Sequence, residues 1–141
     1  MEIAKAMLQP LVALVLWTFV MWLWMYATRV PAIMRMKMRL DPMRINGEQM
    51  AELPPQVRWK ADNYNHLHEQ PVLFYAVVLA LVLLGDASQA SVALAWAYVG
   101  VRVVHSLVQA LVNKIEARFG LFVLGSLLLL ALTIRLALQI C

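Results

Sequence analysis

A single cysteine, Cys141 at the last position of 141 residues, excludes an intrachain disulfide framework and a thiolate metal cluster. No prenylation box surrounds it. Charge is also scarce: 14% of residues are Asp, Glu, Lys or Arg, against about a quarter in soluble domains. From Ala6 to Thr28 there is no charge at all, and no small-x-small cleavage site precedes Arg29, so this run is not a removable signal. Internal repeats and low-complexity segments are absent. What fills the chain instead is apolar, 63% of all residues. That is more than one water-soluble core of this length can hide, so most of the chain has lipid as its solvent.

The net charge of +4 is compatible with a nucleic-acid partner, but its distribution argues against one. Seven of the twelve basic residues fall in one stretch: Arg29, Arg35, Lys37, Arg39, Arg44, Arg58 and Lys60. This is the signature of a cytoplasmic loop under the positive-inside rule. The apolar runs predict an all-α integral membrane protein, a single four-transmembrane-helix bundle over residues 1–141. Its spans lie at about 6–28, 58–85, 87–113 and 118–140, with a long basic loop at 29–57. Turn formers punctuate that loop: Asp41-Pro42, Asn46-Gly47 and Pro54-Pro55. The second connection, around Gly85-Asp86-Ala87-Ser88, has no Lys or Arg, while the short third carries Lys114 and Arg118. The alternation puts the first and third loops in the cytoplasm and both termini outside.

Two spans carry polar residues that lipid excludes. Arg58, Asp62, Asn65 and Glu69, at i, i+4, i+7 and i+11, share one face of the second helix. Tyr98, Arg102, His105 with Ser106, Gln109 and Asn113 repeat the pattern on the third. Intramembrane charge costs roughly 2.5–3.5 kcal/mol on insertion scales, so such groups face partners or a wet cavity. The two faces are expected to meet, with Glu69 offsetting Arg102. Pro71 leaves the carbonyl of Leu67 without its amide partner, which predicts a kink there. The seam holds more polar groups than one helix–helix contact needs, and a small anionic ligand is expected between the helices.

Other features have ordinary explanations. His66 and His68, at i and i+2, point about 200° apart and do not share an ion, so no metal is expected. Trp17, Trp22 and Trp24 fit an interfacial belt. The methionines from Met34 to Met43, alternating with Arg and Lys, suggest a helix or strand on the membrane surface. Arg135 is expected to snorkel to the outer interface.

These residues resemble the MAPEG superfamily, the membrane-associated proteins of eicosanoid and glutathione metabolism, specifically its microsomal glutathione transferase-like bacterial members. The resemblance rests on Arg58, Asn65, Glu69 and Phe74 in the second helix and on Arg102-Val-Val-His105 in the third. Arg118, Phe122 and Gly125 at the fourth extend it. It implies a homotrimer in a bacterial inner membrane, an enzyme that transfers glutathione to, or reduces with it, lipophilic electrophiles or peroxides. Glutathione would be the cosubstrate and lipophilic small molecules and membrane lipid the other partners. By the same resemblance Arg58 and Arg102 would hold carboxylates, Asn65 the peptide, and Glu69 would meet the amino group or orient an arginine. His105 would join the ligand set, Asp62 and Gln109 would be additional contacts, and Arg118 would stabilise the thiolate. Two alternatives stand beside this reading: a non-catalytic protein of the same fold that binds a lipid or a partner protein, and a small transporter using Glu69 as proton carrier.

Overall fold

The computed structural model describes residues 2–45 and 47–141, so Asn46 of the expected Asn46-Gly47 turn lies outside the described residues. Five α-helices make four crossings, each long and apolar enough to span a membrane. The first, α1 (Glu2–Arg35), has 34 residues, about 51 Å at 1.5 Å per residue. That exceeds a hydrocarbon core of about 30 Å, so the end bearing Arg29 and Arg35 projects toward the headgroups. Proline at 10 and 31 does not end α1; in lipid an interrupted helix has no better partner for its backbone than the helix itself.

The helix therefore runs past the expected boundary at residue 28. It stops where Lys37 takes a left-handed conformation (φ 51°) and the Met38 amide donates to the Ile33 carbonyl at 3.2 Å, a Schellman closure. The Met34–Met43 stretch is consequently neither a surface helix nor a strand. Beyond the last turn of α1 it is irregular, leading to one 3-10 turn at Met50–Glu52. Arg44 crosses this loop to Glu48 (2.8 Å) and Glu52 (3.2 Å).

The second crossing is two helices in tandem, α2 (Pro55–His66) and α3 (Gln70–Leu83). Pro71, at the second position of α3, cannot donate back into α2. The chain adjusts just before it, with Glu69 at φ −93°, ψ −95° and tight bonds from the His68 amide to Asn65 and the Glu69 amide to His66. After α3, Gly85 takes φ 74° and the Asp86 amide bonds the Leu81 carbonyl at 2.9 Å. Ser88 then caps α4 (Gln89–Leu111) by accepting from the Ser91 amide. α4 closes on Asn113 (φ 55°), and α5 (Ile115–Ile140) completes the bundle.

The core lies on facing stripes. Met7, Leu14 and Met21 of α1 recur every seven residues and join one core cluster with Phe74, Val78 and Leu81 of α3, Ala95 and Val99 of α4, and Leu129 and Leu132 of α5. Phe74 stacks on Tyr98 with centroids 4.6 Å apart. Leu16, Phe19, Leu23, Leu127 and Leu130 remain outward, the face a lipid solvent requires.

At the end opposite the basic loop, Arg135 does not simply snorkel. Its Nε donates to Ser91 Oγ and its Nη2 to Ser88 Oγ, both at 2.8 Å. Asp86 accepts from the Ser88 amide (2.9 Å), Ser91 Oγ (2.8 Å) and Gln139 Nε2 (2.6 Å). Burial would raise the Asp86 carboxyl, but these donors outweigh it and hold the group at about 2. Loop and helix end form one clasp.

Candidate functional site

The polar face of α4 is buried as its spacing requires. Tyr98, Arg102, His105, Ser106 and Gln109 all point inward. Their partners are not the residues the spacing on the second helix suggests. The face of α2 turned to α4 carries Lys60 and Asn63, continued by His66, Leu67 and, on α3, Gln70. Tyr98 donates to Gln70 Oε1 at 3.1 Å, and Arg102 Nη2 donates to His66 Nδ1 at 2.9 Å. His66 lies nearly parallel to His105 with centroids 4.9 Å apart, and Lys60 Nζ reaches the Ala110 carbonyl at 3.3 Å. Two antiparallel helices thus form a polar ladder, which ends where Gln70 Nε2 donates to Ser126 Oγ of α5 at 2.7 Å.

Arg58, Asp62, Asn65 and Glu69 sit on the opposite side. Asp62, Asn65 and Glu69 are exposed and Arg58 is half-buried. The expected Glu69–Arg102 ion pair is not formed; among the described residues the ion pairs involve only Lys5, Arg44 and their acids. Two polar stripes run along α2 with similar periodicity. The stripe that turns inward is the less charged one, beside the fully buried Leu67, while the more highly charged stripe stays accessible. Lys60, Asn63, His66 and Gln70, at i, i+3, i+6 and i+10, were legible as that second stripe, but Lys60 reads as part of the basic loop and His66 as an isolated histidine.

The ladder is rich in polar groups with nothing to bond. Arg102 is 1% exposed, yet its Nε and Nη1 have no partner among the described residues. The same holds for both amide atoms of Asn63 (0% exposed), His105 Nδ1, Ser106 Oγ and Gln109 Oε1. Lys60, also buried, is held only by the Gln56 and Ala110 carbonyls and by the Trp24 ring, 5.2 Å from its centroid. Two buried cations without a carboxylate are costly unless something offsets them. Since Arg102 donates to His66 Nδ1, that nitrogen carries no proton and His66 is neutral.

Beside the ladder opens a cavity of about 220 Å³, lined by His66, His105, Ile115, Arg118, Phe119 and Phe122. Arg118 stands in the first turn of α5 and donates through Nη1 to Asn113 Oδ1. The left-handed cap of α4 therefore positions the guanidinium at the mouth of the cavity, and Asn113 serves as this anchor rather than as a rung of the ladder. His68 faces away, bonding the Tyr64 carbonyl at 2.9 Å. Among the described residues no group of three His, Cys, Asp or Glu side chains is placed to hold a metal ion.

Of the anticipated residues, the structure brings Arg102, His105 and Arg118 together, with Gln109 one turn along α4, and sets Arg58, Asp62, Asn65 and Glu69 apart. Neither a curated protein nor a solved structure matches the chain. The MAPEG family model matches residues 7–138, nearly the full length and all four crossings. The protein belongs to the MAPEG family, membrane-embedded helical proteins associated with glutathione and eicosanoid metabolism.

Proposed function

We infer that the protein binds glutathione where the α2–α4 ladder meets the Arg118 cavity and activates its thiol for reaction with lipophilic electrophiles or peroxides. The observation that carries this reading is Arg102, a buried guanidinium with two unpartnered nitrogens and no ion pair among the described residues. A carboxylate of the tripeptide would accept from those nitrogens in a paired geometry suited to guanidinium. Asn63, Ser106 and Gln109 would take its peptide groups, offering the donors and acceptors that now stand empty. Arg58, Asp62 and Asn65 line a different cavity, and Glu69 stands exposed at the junction of α2 and α3 without an ion pair to Arg102.

Chemically, the thiol S–H bond breaks, its proton passes to water, and the sulfur keeps the electron pair. The Arg118 cation stabilises that thiolate and lowers the thiol pKa. The thiolate then adds to an electrophilic carbon, or attacks the terminal oxygen of a hydroperoxide. In the second case an S–O bond forms as the O–O bond breaks, and the alkoxide leaves and takes a proton from water. A second glutathione then converts the sulfenic acid to the disulfide and water. The apolar walls Ile115, Phe119 and Phe122 would admit a substrate dissolved in the bilayer. We further infer a homotrimer in a bacterial inner membrane, with the basic loop cytoplasmic. The family relationship and the charge distribution of the loops support this.

The test is a glutathione titration of detergent-purified protein, following thiolate absorbance in the ultraviolet. Wild type should show the signal at neutral pH. Arg118→Gln should lose it while glutathione affinity stays within about tenfold, because one partly exposed contact contributes about 1.4 kcal/mol or less. Arg102→Met should lose affinity itself. Equal thiolate signals in wild type and Arg118→Gln would overturn the assignment of Arg118. Absence of binding in wild type would leave a non-catalytic member of the family that binds a lipid or a partner protein.

A further inference from the structure

The ladder uses His66 through one nitrogen only. Arg102 Nη2 stands 2.9 Å from His66 Nδ1. A guanidinium has N–H groups and no lone pair to offer, so Nδ1 is the acceptor and the neutral imidazole carries its proton on Nε2. A second ring proton would set N–H against N–H and cation against cation. The rest of the ring is held as firmly. One face stacks on His105, with centroids 4.9 Å apart and planes 16° from parallel, and Phe122 meets the ring edge-on at 5.5 Å.

Nε2 is the free corner of this ring. Among the described residues it has no hydrogen-bond partner, yet it is not a sealed orphan as Nδ1 of His105 is. It therefore meets open space, and the space that His66 lines is the cavity of about 220 Å³ shared with Arg118. Ile115, Phe119 and Phe122 give that cavity apolar walls, and nothing bonds His105 Nδ1 to choose its tautomer. Two lining side chains are thus committed donors, Arg118 from α5 and His66 from α2. A molecule that fills the cavity meets both a cation and a neutral N–H.

We propose that His66 Nε2–H is a catalytic hydrogen-bond donor to the electrophile, so that the site favours substrates whose reaction builds negative charge on oxygen. This rests on the thiolate site inferred above and assigns a residue and a substrate preference within it. With an α,β-unsaturated aldehyde, the glutathione thiolate forms a C–S bond at the β-carbon. The alkene π pair moves to make an enolate, whose oxygen accepts from Nε2–H. Water then protonates the α-carbon, and the hydroxide left behind is neutralised by the proton released when the thiol ionised. The imidazole keeps its own proton throughout: a neutral ring with a fixed N–H polarises an oxygen without transferring hydrogen. With a hydroperoxide the same donor meets the departing alkoxide. An alkyl halide places its charge on the halide, a weaker acceptor, and gains little. Because Arg102, His105 and Phe122 fix the ring beforehand, the donor needs no reorganisation as charge develops.

The test compares 2-nonenal with benzyl chloride as electrophiles for the full-length protein in detergent, at saturating glutathione. His66→Phe keeps a ring against His105 and Phe122 but removes the donor. It should lower the ratio of kcat/KM for 2-nonenal over benzyl chloride by about tenfold, with the loss in kcat rather than KM. His66→Gln retains an N–H of similar reach and should hold that ratio to within about threefold. A ratio unchanged in His66→Phe, or lost as fully in His66→Gln, would overturn the proposal. Nitrogen-15 NMR of histidine-labelled protein needs no change at His66. The three histidines are told apart with His68→Gln and His105→Gln, and His66 should be protonated at Nε2 and bare at Nδ1 at neutral pH. A proton on Nδ1 would overturn the proposal as well. The glutathione titration separates the two possible failures. No thiolate signal in wild type refutes the thiolate site and this role with it, whereas an intact signal with an unchanged ratio refutes the role of His66 alone.

Discussion

Asn63 offers a sharp test of whether the ladder is built to receive something. It is 0% exposed on the α4 side of α2, and neither its amide nitrogen nor its oxygen has a partner among the described residues. A buried polar group left unpaired costs about 1–3 kcal/mol. Replacing the amide with an apolar side chain of the same branching removes that cost. Asn63→Leu should therefore raise stability by about 1–3 kcal/mol, and Asn63→Ala should show the same sign with a smaller gain, because a small cavity offsets part of it. At this chain length 1 kcal/mol corresponds to roughly 2–4 °C in Tm. The assay is thermal unfolding of detergent-purified, ligand-free protein, followed by circular dichroism. The two variants bracket overpacking, since leucine is larger than asparagine and alanine is smaller. The same variants should bind glutathione about tenfold or more weakly, the exchange of stability for function expected at a binding site. If both variants unfold at lower temperature than wild type, the amide is already satisfied in the free protein, and it cannot be one of the vacant rungs on which the ligand argument rests.

Other consequences concern the deep end of the ladder and the far side of the bundle. Gln70 joins α3 to Tyr98 of α4 and Ser126 of α5, so Gln70→Leu strands a buried hydroxyl and should cost about 1–3 kcal/mol by the same unfolding measurement. Arg135→Met removes both bonds from α5 to the Ser88–Ser91 turn and should cost about 1–2 kcal/mol, read as faster proteolysis in the α3–α4 loop. The Asp86 carboxyl, held at about 2 by its donors despite partial burial, has a folded pKa below its unfolded value. Its contribution is complete above about pH 4 and is lost as pH falls from there through 2. Screening at this partly exposed site keeps the loss to about 1 kcal/mol; Asp86→Asn should flatten the acid limb of the stability profile.

The architecture was legible from composition alone, because lipid admits few structures. Uncharged runs of span length must be helices, and the alternating charge of the connections orders them. Pro71 marked the break in the second crossing, since its missing donor acts locally. The inward face of α4 was legible for a similar reason: Tyr98, Arg102, His105 and Gln109 form its only continuous polar stripe, leaving no rival orientation. On α2 the rule had two solutions. Arg58-Asp62-Asn65-Glu69 and Lys60-Asn63-His66-Gln70 are both helical stripes, and periodicity cannot rank one above the other. Tertiary packing decided, because α2 packs on its neighbours along Asn63 and Leu67 and the charged stripe stays exposed. The same decision paired Arg102 with a neutral histidine instead of in an ion pair with Glu69. It also released Arg29, Arg58 and Asp62 to form a separate cavity. Sequence determined that this chain crosses a membrane four times and carries a polar interior; only the rotation of α2 about its axis, fixed by side-chain packing, determined which residues share it.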